Sequence, residues 1–323
     1  MLLHSQIPQL NKKAFINAGG VGEVFVDPRN PGLCIKRFFK PLRGEEAAGL
    51  LRLVAVSEGA RPSDREVLTS RFSWPIECFG TPNELLGYSM PLASRDAFFD
   101  LTVAGRTNSQ LLQFKFLLDR QYWESKAVTS PAPAMNTDDR IQLLVDVAES
   151  IQLVHQFGLV YGDISGNNIC ALRGSLPTVF LLDADSITTP EHRLAHQVKT
   201  VDWNAPDGLD PESVDRSLVA LLAWRLFQGV ATSYPSESDF SFHPAVSQQT
   251  IKAISSTFRS GSKTDFSQLL TSLRKDRTKE RSMLVIARAE KSGFARSLLV
   301  EIEHVSSSGL ETLRHAALRH QEL

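Results

Sequence analysis

The sequence predicts an α+β fold with a β-rich amino-terminal part, a mainly helical part after it, and a helical extension at the carboxy terminus. Three observations support this prediction. Short β-like runs surround one helical stretch in the first third, two long helical patterns follow, and the segment 276–323 combines mixed charge with helical spacing. The 323 residues are 42% hydrophobic with a formal charge of −1, an ordinary globular composition that excludes a disordered or fibrous chain.

The first third of the chain predicts a sheet crossed by one helix. Its helical stretch, 44–56, is rich in Ala, Leu and Glu. The β-like runs on either side of that stretch are 23–26, 33–38 and 85–90.

The middle of the chain predicts a loop and two helices. Two prolines among small and polar residues in 124–137 predict the loop. Apolar residues recur at helical spacing over 138–158, with Thr137 or Asp138 as the predicted N-cap. The stretch 214–227 is apolar nearly all round, which predicts a helix buried at the centre of a domain.

Cysteine usage and charge limit the compartment and the partners. Cys34, Cys78 and Cys170 stand far apart without a CxxC pair, so they predict neither a disulfide framework nor a zinc site. We therefore expect a cytoplasmic protein, and no apolar run approaches the ~18 residues of a membrane span. The near-neutral charge disfavours nucleic acid. In the basic stretch 252–296, with 11 Lys and Arg against 4 Asp and Glu, we expect a solvated helix face because aromatic residues are not interleaved.

Two acidic motifs carry the chemistry. In LVYGDISGNNIC, residues 159–170, Asp163 stands five residues before Asn168, and in VFLLDADS, residues 179–186, Asp183 follows a short apolar run. Taken singly, such residues also fit ordinary turns. Together they resemble the core of the protein-kinase-like superfamily, in which H-R-D-L-x-x-x-N precedes a D-F-G aspartate. The resemblance implies that Asp163 is the catalytic base and that Asn168 and Asp183 bind the metal.

The segment NAGGVGEV, residues 17–24, is similar to the glycine-rich loop that covers the nucleotide in this superfamily. Such loops use glycine because backbone N–H groups must approach phosphate oxygens closely. Lys36 follows in a β-like run, where the superfamily has its phosphate-binding lysine. Asn17 stands in place of the first glycine, and Asn tolerates positive φ better than other non-glycine residues. The residues implied to contact nucleotide are Asn17, Gly19, Gly20, Gly22, Val24 and Lys36.

The resemblance extends to the helix after Lys36 and to the hinge. It implies that Glu46, with Glu45 as the alternative, pairs with Lys36, although one of the two also fits a solvated glutamate at a helix start. Trp74 and the segment GYSMPL are similar to a bacterial branch of the superfamily, in which Met90 to Leu92 line the adenine pocket.

Two motifs after Asp183 also resemble parts of this superfamily. Trp203-Asn204-Ala205-Pro206-Asp207 resembles the A-P-E end of an activation segment, and Asp215 resembles the aspartate beneath the catalytic loop. We expect Asp207 to pair with Arg259 or Lys263.

The chain departs from the superfamily pattern at Gly162, Ser165 and Ala184, which replace the usual arginine, lysine and phenylalanine. The threonines Thr188, Thr189 and Thr200 are candidate phosphorylation sites, with ordinary surface threonines as the alternative.

The resemblance implies a bilobal protein kinase-like fold with ATP and Mg²⁺, or Mn²⁺, as cofactors. Residues 1–92 would form the N-lobe, 93–275 the C-lobe and 276–323 the helical extension. The leading hypothesis is an ATP-dependent kinase acting on Ser or Thr of a protein substrate, including itself. A nucleotide-binding pseudokinase or scaffold and a small-molecule kinase are the alternatives. Similar bacterial kinases also suggest a metal-dependent phosphatase or a von Willebrand A-like partner.

Two histidines suggest a metal site only weakly. His192 and His196 stand four residues apart and follow Glu191. No third or fourth ligand has suitable spacing, so we expect a solvated segment. His155, on the predicted helix 138–158, is expected to be a structural histidine with a satisfied hydrogen bond.

Overall fold

The computed structural model describes residues 3–118, 135–174, 176–191, 200–235 and 246–291. The predicted loop up to position 134, His192, His196 and the extension from 292 onward lie outside these residues. The chain divides into two compact units, Met1–Arg274 and Lys275–Leu323. The first unit mixes α and β structure, as predicted. None of the helices within the described ranges is long and apolar enough to cross a membrane.

A six-stranded sheet forms the amino-terminal part of the first unit. Its strand order is β1-β5-β6-β4-β3-β2, with β1 parallel to β5 and the remaining neighbours antiparallel. The long strand β4 is central and carries Lys36, which pairs across the sheet with Val24 on one side and Tyr88 on the other. The strands are β1 Leu3–His4, β2 Phe15–Ala18, β3 Gly22–Asp27, β4 Asn30–Arg43, β5 Glu77–Thr81 and β6 Glu84–Pro91.

Two helices connect β4 to β5. Helix α1, Gly44–Gly59, begins directly after β4 at Gly44, whose φ of +55° suits glycine. Glutamates 45 and 46 lie in its first turn, where the helix dipole favours negative charge. Helix α2, Pro62–Arg71, begins with a proline at its first position. The predicted sheet crossed by a helix is therefore present, with a second helix that the sequence did not predict.

The rest of the first unit is mainly helical. The long helix α4 is capped by Asn136, whose side chain accepts from the backbone N–H of Asp139 at 2.8 Å, so the predicted cap at Thr137 or Asp138 was one to two residues late. Helix α5 is buried along almost its whole length, as predicted. The elements are β7 Phe98–Val103, β8 Arg106–Leu111, α3 Lys115–Leu118, α4 Thr137–Gln156, β9 Ile169–Leu172, β10 Thr178–Leu181, α5 Pro211–Gln228, α6 Gln248–Ser260 and α7 Lys263–Lys291.

The segment after α2 joins the sheet to the helical part. Phe72 forms a parallel β-bridge with Leu181, and the backbone N–H of Ser73 donates to the Leu181 carbonyl at 2.9 Å. The Trp74 indole, completely buried, donates to the carbonyl of Leu53 in α1 at 3.0 Å. Arg71 forms ion pairs with α4 through Asp146 and Glu149. These contacts hold β10, and the acidic motif after it, against the sheet that carries Lys36.

We predict that Gly87→Ala destabilises the sheet at Lys36. Gly87 pairs with Arg37, and a Cβ at Gly87 would lie 2.4 Å from the Lys36 carbonyl oxygen, closer than nonbonded atoms approach. Because the clash is with backbone, β4 and β6 would have to separate, and we expect a loss of ~1–3 kcal/mol. Urea unfolding measures the effect.

Gly49→Ala is the control for this prediction. A Cβ at Gly49 meets no atom within 4 Å, and alanine is the better helix former in α1. Stability equal to or above that of the unmodified chain is expected for this control. A Gly87→Ala chain as stable as the control would show that the β4–β6 contact is not rigid.

Candidate active site

The loop after α4 presents Asp163. One carboxylate oxygen of Asp163 accepts from the Asn168 amide nitrogen at 2.6 Å, and the other accepts from the Thr200 hydroxyl at 3.1 Å. The same amide nitrogen also donates to the Asp163 carbonyl at 3.0 Å. The five-residue spacing seen in the sequence is therefore a closed turn. Because both bonds use the nitrogen of Asn168, its amide oxygen is not engaged by Asp163.

A buried carboxylate supports this loop from below. Asp215, near the start of α5, accepts from the backbone N–H of Tyr161 at 2.7 Å and of Gly162 at 2.9 Å. His155 of α4 contacts the same carboxylate at 3.0 Å, the structural role expected for this histidine. Gly162 has φ +80°, a conformation that favours glycine. The sequence resemblance predicted Asp215 at this place beneath the loop.

Tyr161 connects the two acidic motifs. Its buried hydroxyl donates to the carbonyl of Leu182, which directly precedes Asp183. The backbone N–H of Leu182 in turn donates to the Asn168 carbonyl at 2.8 Å. The Tyr161 ring lies 6.4 Å from Phe72, in the segment that joins β10 to the sheet. These contacts connect the loop that carries Asn168 to the segment that carries Asp183, and the role of both residues as metal ligands stays a prediction.

Lys36 lies at the second acidic motif. Its ammonium donates to Asp183 Oδ1 at 3.3 Å and to both oxygens of Asp185, at 3.0 and 2.8 Å. The Lys36 side chain is only 7% exposed. Burial by itself lowers the pKa of Lys36, but the charges of Asp185 and Asp183 outweigh burial and raise its pKa above the ordinary value. Lys36 is therefore a fixed cation.

Asp183 has a strained backbone and an open side chain. Its φ and ψ are 50° and 41°, the left-handed region that residues other than glycine rarely adopt. A 3-10 turn, Ala184–Ser186, follows, and the Ser186 backbone N–H and hydroxyl both donate to the Asp183 carbonyl. The Asp183 side chain is 59% exposed. Strain of this kind accumulates at functional sites, where the surrounding contacts hold it.

The environment of Asp163 raises the pKa of its carboxyl above the ordinary value. Burial raises its pKa, the hydrogen bonds from Thr200 and Asn168 offset part of that increase, and the negative charge of Asp183 adds to it. The result is a pKa above the ordinary value for aspartate. A carboxylate of raised basicity is suited to accepting a proton from a hydroxyl.

The glycine-rich segment forms the turn between β2 and β3. The Gly19 N–H donates to the Gly22 carbonyl at 2.9 Å, and a Cβ on Gly19 or Gly20 would meet no atom within 4 Å. A Cβ on Gly22 would lie 2.4 Å from the Arg37 carbonyl oxygen, so glycine there permits the close approach of β4. Val24 lies opposite Lys36. Asn17 is exposed, and its side chain accepts from the Ala18 N–H at 2.9 Å.

The remaining predicted residues lie at the end of β6, directly after it, and in the first turn of α1. Met90, at the end of β6, is buried, and the Leu92 N–H donates to the Gly32 carbonyl at 3.0 Å. An adenine contact to the Leu92 amide would have to replace that bond. Glu46, with Glu45, lies in the first turn of α1, and its pairing with Lys36 stays a prediction.

Two secondary predictions fall in the segment after Asp183. Thr188 is buried and pairs with Val160 through two backbone hydrogen bonds, so it is not a surface threonine. Asp207 is exposed, and its pairing with Arg259 or Lys263 stays a prediction.

Arg225 holds the turn next to Asp163, and the sequence did not predict this role. From α5 it donates to the carbonyls of Asp202 at 2.6 Å and Ser233 at 3.0 Å, and its guanidinium lies 4.6 Å from the Trp203 ring and 4.9 Å from the Tyr234 ring. It thereby fixes the turn whose first residue contacts Asp163. An arginine within the otherwise apolar run 218–227 was the available signal.

The three cysteines do not act as nucleophiles at this site. All three are buried free thiols, and burial raises the pKa of each to about 12. They are therefore not nucleophiles at neutral pH.

Comparisons with known proteins give no independent assignment. A scan against protein-family models and a search of curated proteins both find no match for this chain. The functional interpretation therefore depends on the contacts described above.

We predict that Asp215→Asn destabilises the first unit by ~3 kcal/mol. The asparagine keeps one acceptor oxygen, but its NH₂ group would face one of the two backbone N–H donors of residues 161 and 162, which leaves that buried donor unsatisfied. Urea unfolding followed by circular dichroism measures the loss. Asp100→Asn, at an exposed position on β7, is the matched control and should change stability by less than ~0.5 kcal/mol. Equal stability of the two variants would contradict the proposed support.

Proposed function

We propose that the first unit is a bilobal protein kinase-like domain that transfers the γ-phosphoryl group of Mg-ATP to Ser or Thr of a protein. One observation carries the proposal. The Asp163–Asn168 pair and the Lys36–Asp183 pair lie on either side of the backbone bond between Leu182 and Asn168. A base, an amide, a carboxylate and a fixed cation are the four groups that phosphoryl transfer by this superfamily requires.

The sheet supports the fold assignment. A small β-rich part with a helix after the lysine strand, followed by a mainly helical part, is the order that a bilobal kinase fold predicts. Lys36 reaches the motif with Asp183, and the bond between Leu182 and Asn168 connects that motif to the loop with Asp163. We therefore assign nucleotide to the space between the sheet and these two motifs.

The donor set fits Mg²⁺, or Mn²⁺, bound with ATP. Asp183 offers an exposed carboxylate and Asn168 an amide oxygen, both hard oxygen ligands. When bound, the metal neutralises phosphate charge and orients the triphosphate. Lys36 holds a positive charge where a phosphate would lie. Residues at the turn of the glycine-rich segment offer backbone N–H groups without a Cβ in the way.

Asp163 and Thr200 indicate the acceptor. The Thr200 hydroxyl, 3.1 Å from the Asp163 carboxylate, shows that a Thr-type alcohol can reach this oxygen as a hydrogen-bond donor. An acceptor hydroxyl placed likewise would give its proton to Asp163 while its oxygen attacks the γ-phosphorus of ATP. The bond between that phosphorus and the β,γ-bridging oxygen would break, and ADP would leave. The raised pKa of Asp163, caused first by burial, favours this transfer.

Transfer of labelled phosphate from ATP tests the proposal. The full chain is incubated with Mg-ATP and a protein extract, and Asp163→Asn serves as the variant that lacks the base. We expect label on protein Ser or Thr with the unmodified chain and a loss of ~10²-fold or more with the variant. Nucleotide binding without transfer by the unmodified chain would favour the pseudokinase or scaffold alternative.

A small-molecule kinase is the second candidate function. Ser165, at the place where protein kinases of the Ser/Thr class have a lysine, is completely buried, and its hydroxyl accepts from the Asn167 N–H at 3.3 Å. This position therefore provides no cation for a protein acceptor. Parallel incubation with metabolite pools and protein extracts decides between the two, because the acceptor that takes the label differs.

We predict that Thr200→Val moves the acid limb of the kcat/KM profile to higher pH. Asp163 must be unprotonated to accept a proton, so activity falls as pH drops through its pKa. The Thr200 hydrogen bond lowers this pKa, and its removal therefore raises the pKa further above the ordinary value. A pH profile of kcat/KM measures the shift. Thr200→Ser retains the hydroxyl and should retain the profile; an equal shift in both variants would contradict the assigned hydrogen bond.

The proposed setting is the cytoplasm. Three buried free thiols fit a reducing compartment. A phosphatase or von Willebrand A-like partner stays a prediction from the sequence resemblance.

A further inference from the structure

The structure identifies a partner of Lys36, the carboxylate of Asp185, that the sequence resemblance did not predict. Both oxygens of Asp185 accept from the Lys36 ammonium, at 3.0 and 2.8 Å, whereas Asp183 contributes one oxygen at 3.3 Å. The resemblance placed the partner of the lysine on α1, far from this segment in sequence. In the structure two partners come from the acidic motif itself.

We propose that Asp185 is a positioning residue that holds Lys36 toward the phosphates, so that Asp183 remains available to the metal. The inference rests on the proposed kinase function for its role in transfer. It assigns separate tasks to the two aspartates of the D-A-D motif, residues 183–185.

The side chains of Asp183 and Asp185 differ in how far they are buried. The Asp185 side chain is 12% exposed, and the Asp183 side chain is 59% exposed. An ion pair shielded from water is stronger and more rigid than an exposed one, provided that its geometry is good. Asp185 and Lys36 meet this condition through two short bonds from one ammonium. An exposed carboxylate with one long contact is the better ligand for an incoming cation.

The local backbone directs both side chains to Lys36. The left-handed residue Asp183 is followed by the 3-10 turn Ala184–Ser186, and the buried Ala184 donates its N–H to the Ser73 hydroxyl at 3.3 Å. Ser73 also holds β10 through the Leu181 carbonyl. With Ala184 anchored on one side, the aspartates on either side of it both reach the ammonium.

Tyr88 lies on the buried side of the cluster formed by Lys36, Asp183 and Asp185. It lies opposite Lys36 in the sheet, on β6, and is completely buried. Burial, followed by the charges of Asp185 and Asp183, raises the pKa of the Tyr88 phenol well above its ordinary value. Tyr88 is therefore an uncharged, buried side chain beside Lys36 that excludes water from the Lys36–Asp185 pair.

The charge of the cluster supports the division of tasks. Lys36 contributes one positive charge and the two aspartates contribute two negative charges, so the cluster carries an excess of one negative charge. A divalent cation at Asp183 would remove this excess, whereas Asp185 is already compensated by the ammonium. The Lys36–Asp185 pair would thus persist whether or not a metal is bound.

A pair of double-mutant cycles on the full chain tests the contact without any need for activity. One cycle combines Lys36→Met with Asp185→Asn, and the other combines Lys36→Met with Glu46→Gln. Urea unfolding should show a coupling of about tenfold in the unfolding equilibrium constant for Lys36 and Asp185. Equal or larger coupling for Lys36 and Glu46 would overturn the assignment. Should Asp185→Asn fail to fold, Asp185→Ala, which also removes the carboxylate, replaces it in the cycle, and the Glu46 cycle is judged by the same criterion.

The Mg²⁺ dependence of phosphoryl transfer tests the separate tasks. We expect Asp185→Asn to lower kcat/KM by about 10²-fold at unchanged half-saturating Mg²⁺, because it displaces the lysine and leaves the metal ligands intact. Asp183→Asn should instead raise the half-saturating Mg²⁺ concentration. Asp100→Asn, an exposed acid-to-amide change, is the matched control. A raised Mg²⁺ requirement in Asp185→Asn would overturn the proposal, since Asp185 would then be a metal ligand.

The two readouts separate this inference from the proposed function. If the unmodified chain transfers no phosphate, the kinase proposal fails while the cycles still report whether Asp185 holds Lys36. If the chain transfers phosphate but shows no Lys36–Asp185 coupling, the kinase proposal stands and this inference fails.

Discussion

The site depends on one buried carboxylate, that of Asp215. A negative charge removed from water must be compensated by hydrogen bonds, and here the donors are the backbone N–H groups of Tyr161 and Gly162, with His155 beside them. To present both N–H groups to one carboxylate, the chain must turn at Gly162 with positive φ. The residue after that turn is Asp163. The position of the proposed base is therefore a consequence of compensating a charge inside α5.

The same constraint extends to the second acidic motif. Tyr161, held by Asp215 at its backbone, reaches Leu182 with its hydroxyl, and Leu182 pairs with Asn168. Phe72 and Ser73 then bind the end of β10 to the segment that leads into the sheet. Three parts of the chain, distant in sequence, are thereby linked by backbone and side-chain bonds. Lys36 meets the aspartates of the second motif because this linkage brings β4 and β10 together.

Several groups at the site are unfavourable for stability. Lys36 and Arg225 are buried cations, and Asp183 adopts a left-handed backbone conformation. Each is held by a specific set of contacts: carboxylates around Lys36, and carbonyl oxygens with two aromatic rings around Arg225. Placing unfavourable groups together is characteristic of sites in which position serves chemistry. In the proposed reaction, position and charge are the main contributions that the protein makes.

The sequence by itself determined the local features: the α+β composition, the helices at 44–56, 138–158 and 214–227 within a few residues, and the acidic motifs at Asp163 and Asp183. Periodicity and spacing carry such information because they act within one element. Only the tertiary structure decided which side chains meet. Several acids could have reached Lys36, and the one with two bonds, Asp185, stands 149 residues away in the chain. Local patterns cannot rank equivalent carboxylates, since the choice depends on how the segment after α2 joins β10 to the sheet that carries Lys36.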